Sequence, residues 1–172
     1  MSTPTPRHQK LHQLVFAALF AAAITVMTAW FLHIPIPTGG YIHVGDALIY
    51  LAACLLPTPY AVAAAAVGAG LADLLTAPVW VVPTLIIKPL AVLLFTSREE
   101  RILSRRSCAA VVIAGVLSPT AYALAGCVMA GTWTAFAPQF LGTLLQGIGS
   151  GVLFLLLAPA LDGMKLKSRL AI

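Results

Sequence analysis

Four polar residues stand inside or at the edge of otherwise apolar runs, where a charge or an amide needs a reason. Asp46 heads the run in "PTGGYIHVGDALIYLAACLLP" (37–57), and Asp73 lies in "GAGLADLL". Lys88 lies in "PTLIIKPL" and Gln146 in "LGTLLQGIGSGV". One cation, two carboxylates and an amide could hold a polar ligand by charge and hydrogen bonds, and charges in such settings default to function unless paired. Tyr41, His43 and Trp80 sit in the intervening loops and could add aromatic surface. Each residue also has a purely structural reading. Asp46 could cap a helix; Asp73 and Lys88 could neutralise each other as an ion pair between helices. His33 and His43 could be interfacial loop residues, Trp80 and Trp133 an aromatic belt, and Gln146 an interhelical hydrogen bond.

The elements that must position these residues follow from composition. Hydrophobic residues make up 60% of the 172-residue chain and charged residues 9%, against about 25% charged in an ordinary soluble domain. That composition is a membrane protein's. Pro- and Gly-rich punctuation leaves six apolar segments near 11–32, 45–56, 60–76, 83–96, 108–130 and 139–161. The second and fourth are short for a span of about 20 residues. The expected fold is an all-α polytopic membrane protein with six transmembrane helices, in a single integral-membrane domain over 1–172. The first segment follows Arg7 and Lys10 and is too long for a signal-peptide core, so it is expected to be retained as a helix.

Lys and Arg gather before the first segment, in "SREERILSRRS" (97–107), and after the sixth at Lys165, Lys167 and Arg169. With six spans all three clusters fall on one side, which puts both termini in the cytoplasm. The loops at 33–45, 77–83 and 131–138 are then external. Counted at about 1.5 Å per residue from the nearest external loop, Asp46, Asp73, Lys88 and Gln146 fall in the outer half of the bilayer. The net charge of +5 is a topology signal; no aromatic-interleaved basic patch points to nucleic acid. Cys54, Cys108 and Cys127 lack the spacing of a disulfide framework or a metal site and read as small buried side chains. No cofactor or metal is expected.

Small residues recur at four-residue spacing: Ala17 with Ala21, Ala18 with Ala22, then Ala64, Gly68 and Ala72, and Gly147 with Gly151. Such a stripe lets another helix approach closely. The later sets read as internal packing, while the first-segment pairs could equally face a partner subunit.

The stretch "GGYIHVGDALIYLAACLLPTPYAVAAAAVGAGLADLLTAPVWVVPTLIIKPL" (39–90) resembles the substrate-binding S components of energy-coupling factor (ECF) transporters, the riboflavin-type and related families in particular. The specific part is the order of "HVGDA", "GAGLADLL" and "PTLIIKPL"; the six-segment pattern extends the resemblance over nearly the whole chain. It implies a non-enzymatic protein of the bacterial cell membrane that captures a vitamin or related micronutrient at its external face. It also implies a transmembrane T component and two cytoplasmic ATPases as partners, which fits a chain without a GxxxxGK[ST] loop. The Ala17/Ala21 or the overlapping Ala18/Ala22 face would dock the T component. Residues around Tyr41 to Asp46, with Lys88 and Gln146, would contact the ligand.

Two other functions compete. A solitary secondary transporter or channel would use the Asp/Lys cluster for ion coupling. An intramembrane aspartyl protease would use Asp46 and Asp73 as a proton-sharing pair, but "HVGD" has His where G-x-G-D needs Gly, and "LADLL" lacks a neighbouring Tyr.

Overall fold

The computed structural model describes residues 6–31, 33–35 and 41–170. All six apolar segments are helical: α1 (Pro6–Ala29), α2 (Asp46–Leu55), α3 (Thr58–Thr76), α4 (Val81–Val92), α5 (Arg105–Ala130) and α6 (Phe136–Gly163), followed by a short α7 (Leu166–Leu170). Between α1 and α2 the strands β1 (Ile34–Pro35) and β2 (Tyr41–Ile42) pair antiparallel, with Ile34 opposite Ile42. The sequence alone reads as plain loop here. Gly39 and Gly40, in the same loop, lie outside the described residues.

Local chemistry fixes the ends. Pro57 closes α2, because the residue before a proline leaves the helical region, and Leu56 has the extended ψ of 149°. Ser104 opens α5 with a reciprocal capping box to Ser107, and Gly131 ends it at φ 66°, a conformation that side chains with a Cβ avoid. α4 follows a 3-10 turn (Pro78–Trp80). It tightens at its far end, where Leu93, Leu94 and Phe95 donate to carbonyls three residues back.

Among the described residues, four helices are long and apolar enough to cross a membrane: Arg7–Ala29, Thr58–Thr76, Arg105–Ala130 and the stretch Trp133–Gly163. At 10 and 12 residues, α2 and α4 rise only about 15 and 18 Å, short of a hydrocarbon core of about 30 Å. Asp46 at the start of α2 and Trp80 in the turn before α4 are both buried in the bundle.

The surface is apolar and the interior partly polar, the reverse of a soluble bundle. Val82, Val128 and Leu156 are 68%, 83% and 67% exposed, while Asp46, Asp73, Lys88, Gln139 and Gln146 are buried. Lipid as the outer solvent accounts for that inversion. α1 lies along α3 through small residues: Ala17 and Ala21 are buried, and a Cβ on Gly68 would stand 2.7 Å from the Ala21 carbonyl oxygen. Thr25 reinforces the seam by donating to the carbonyls of Ala21 and Gly68, each at 2.9 Å.

The two ends of the bundle differ. One is filled by an apolar core in which Tyr50 stacks on Phe95 at 4.8 Å, with Phe154 edge-on to both. Beyond it lies the basic loop with Arg98 and Arg101, held when Asp162 accepts the backbone N–H groups of Ile102 (2.7 Å) and Leu103 (2.9 Å). The opposite end holds a polar cluster. Cys54 and Cys127 are buried as read from the sequence, but Cys108 is exposed because it falls on the outward face of α5.

Candidate functional site

The polar end is organised by a buried ion pair. Lys88 Nζ, from the middle of α4, donates to Asp46 Oδ1 at 2.7 Å and Oδ2 at 2.9 Å. Gln146 Nε2, from α6, donates to Asp46 Oδ2 at 3.0 Å. The Asp46 carboxylate thus accepts three hydrogen bonds at the N-terminus of α2, where the helix dipole also favours an anion. Two structural readings fall here. Asp46 makes no side-chain cap, because its carboxylate points across to α4 and α6. Asp73 is not the ion-pair partner of Lys88, because the nearer carboxylate of Asp46 takes the ammonium.

Asp73 instead receives the Tyr41 hydroxyl at Oδ1, and Thr84 lines the same chamber wall. Thr84 Oγ1 is 2.6 Å from the Tyr122 hydroxyl, and Lys88 Nζ stands 5.1 Å above the Tyr122 ring, within cation–π range. Hydroxyl contacts therefore link the hairpin to α3, and α4 to α5.

The hairpin contributes an aromatic strap. His33 stacks on Tyr41 at 4.0 Å, and Tyr41 meets His43 at 5.4 Å. His43 Nδ1 accepts the Gly45 N–H at 3.0 Å, and burial lowers its pKa to about 4. It is neutral at physiological pH. Burial, and then the Asp73 carboxylate, raise the Tyr41 phenol, so it stays a donor. Gly45 is obligatory beneath the strap: a Cβ there would stand 2.1 Å from Thr28 Oγ1.

These groups wall a chamber of about 30 Å³ free volume, room for a couple of waters. Tyr41, His43, Asp73, Trp80, Lys88 and Gln146 all line it, and Asp46 backs it through Lys88 and Gln146. Sequence reasoning missed Thr28, Thr84, Tyr122, Gln139 and Thr143, which line it too. A signal existed for two of them, Gln139 and Thr143. Gln139, Thr143 and Gln146 recur at helical spacing as one polar stripe on an apolar helix, and one face of a helix turns to one neighbour. Trp133, at 75% exposed, stands away from the chamber.

The small-residue faces separate cleanly. Ala17 and Ala21, taken as a docking pair, turn inward, their face occupied by α3; Ala18 and Ala22 are exposed.

A helical bundle with an apolar exterior and a polar, hydrogen-bonding chamber at one end is the build of a membrane protein. Residues 8–162 match the family described as the ECF-type riboflavin transporter, S component, and the chain belongs to that family. No curated protein is similar enough to the chain to count as a match.

Proposed function

We propose that the chain is the substrate-capturing subunit for ATP-driven uptake of riboflavin or a closely related flavin. It would cross the membrane six times with both termini in the cytoplasm, and its polar end would face outward. The observation that carries this reading is the pairing of Lys88 with Asp46 beside the chamber. With the two charges neutralised, the wall offers a ligand mainly neutral donors and acceptors: the side chains of Thr84, Tyr122, Gln139, Thr143 and Gln146. A flavin is uncharged, carries a hydrogen-bonding ring edge and a polyhydroxylated chain, and has a flat face for Tyr and Trp. Asp73 adds one acceptor for a hydroxyl or ring N–H.

ATP hydrolysis falls to partners, a transmembrane T component and two cytoplasmic ATPases. The Ala18/Ala22 face supports docking to the T component, since it is small, exposed and not covered by α3. Titration of the purified protein with riboflavin, read by quenching of flavin fluorescence, tests the ligand. Saturable quenching that is lost in Gln146→Leu supports the reading; its absence at micromolar flavin refutes it. Purification from the native membrane tests the partners. Recovery of a T component and ATPases is expected, and recovery of the chain alone would favour a solitary carrier.

A further inference from the structure

On the far side of the Trp80 indole lies a second hollow of about 240 Å³, lined by Val79, Gly126, Met129, Ala130 and Ala135. Trp80 and Gln139 belong to both walls. The two spaces are thus neighbours, one polar and one apolar, divided by an indole and an amide. Separately, neither reaches the roughly 300–1,000 Å³ of a usual ligand pocket; joined, they approach it.

Two features mark the indole as a wall that moves. Trp80 is 5% exposed, and its Nε1 has no hydrogen-bond partner among the described residues, although a buried donor left unmade is a cost to the fold. Gly126, on α5, leaves clearance at the ring's edge. A Cβ there would stand 3.4 Å from both Trp80 Cη2 and Gln139 Cγ, so any larger side chain would enter the hollow and hold the ring in place.

We propose that the hollow is an apolar subsite of the substrate site. It takes the flat aromatic end of an amphiphilic ligand whose hydrogen-bonding end occupies the polar chamber. The Trp80 indole swings from between the two, and its Nε1–H gains the ligand as acceptor. This rests on the reading of the polar chamber as the substrate site, but the moving wall can be tested without any vitamin.

The test uses the full chain in lipid nanodiscs, with Cys54, Cys108 and Cys127 replaced by Ala and a Thr143→Cys reporter in the polar chamber. The rate of modification by methanethiosulfonate ethylammonium is read by mass spectrometry. Trp80→Ala should speed labelling at least tenfold, and Gly126→Leu should slow it at least tenfold. Should Gly126→Leu fail to fold, Gly126→Ala, whose Cβ fits, should slow it about threefold. In the chain with its native cysteines and Thr143, riboflavin affinity should fall at least tenfold in Gly126→Leu and about threefold in Trp80→Phe, which keeps a ring and loses the N–H. Labelling rates equal to the parent's in both Trp80→Ala and the Gly126 variant overturn the moving wall, whatever riboflavin does. Riboflavin affinity unchanged in Gly126→Leu, with the parent binding, overturns the subsite. If the parent does not bind riboflavin while labelling responds as expected, the flavin reading falls and the wall stands.

Discussion

Lys88 Nζ lies 2.7 Å from Asp46 Oδ1, and this contact ties the middle of α4 to the first turn of α2. Both side chains are almost wholly buried, so each charge depends on the other for its compensation. Breaking such a pair from one side leaves an unpaired buried charge and costs about 3–5 kcal/mol. Lys88→Met should therefore lower thermal stability in detergent sharply. Adding Asp46→Asn should restore most of the loss, because the second charge goes with the first. An unchanged melting temperature in Lys88→Met would mean that the pair is not formed in the membrane protein. Single substitution of Lys88 consequently mixes folding with binding, and a clean probe of the chamber must be sought elsewhere.

Gln146 is that probe. Its Nε2 supplies one of three hydrogen bonds to Asp46, and Lys88 retains the other two when it is removed. An interhelical hydrogen bond in a membrane is worth about 1 kcal/mol. Gln146→Leu should therefore melt within a few degrees of the parent while its riboflavin affinity falls at least tenfold. Equal affinity would place the ligand away from α6.

The contrast between these two residues shows what the sequence could carry. Positions of Asp46, Asp73, Lys88 and Gln146 on apolar segments were readable because lipid makes polar side chains rare, and rarity gave them a common level in the bundle. Partner choice was not readable. Rise per residue places Lys88 near both carboxylates; the rotation of α4 and the inward start of α2 decide for Asp46. By sequence Trp80 is one of the loop aromatics, but the 3-10 turn at Pro78–Trp80 folds it into the interior. The β1–β2 pair, with two residues in each strand, is too short to leave a period-2 pattern. Tyr122 has one polar neighbour at helical spacing on α5, Ser118, but that pair names no partner on another helix, and tertiary packing brings the Tyr122 hydroxyl to Thr84.

His43 sets a pH dependence. Burial holds its pKa at about 4 in the folded protein, against about 6.5 in an unfolded chain. Between those values the unfolded state binds the proton and the folded state does not, so stability rises with pH across that window. The contribution is complete above pH 6.5 and is lost as pH falls toward 4. By pH 5 the fold should lose about 2 kcal/mol relative to pH 7. His43→Gln should flatten that part of the curve, as followed by thermal melts across pH 7 to 5. A parent curve no steeper than the variant's would show that His43 is solvated or already charged.

The two alanine faces of α1 separate folding from coupling. Ala17 and Ala21 are buried, and the Ala21 carbonyl approaches Gly68 so closely that a Cβ there would stand at 2.7 Å. Large side chains on this face must push α1 off α3. Ala17→Trp with Ala21→Trp should then reduce the yield of folded protein, and riboflavin binding should fall with it. Ala18 and Ala22 lie one residue on, about 100° round the helix, and are exposed. Helices in lipid gain little from hydrophobic burial and associate through close van der Waals packing, so a Trp pair here should block a partner helix without disturbing the fold. Ala18→Trp with Ala22→Trp should keep stability and riboflavin affinity near the parent's while abolishing uptake and co-purification of the T component. Uptake that persists in this double variant would remove the α1 face from the coupling mechanism. Uptake lost together with riboflavin affinity would mean instead that the outward face of α1 supports the chamber, through Thr28 at the end of the same helix.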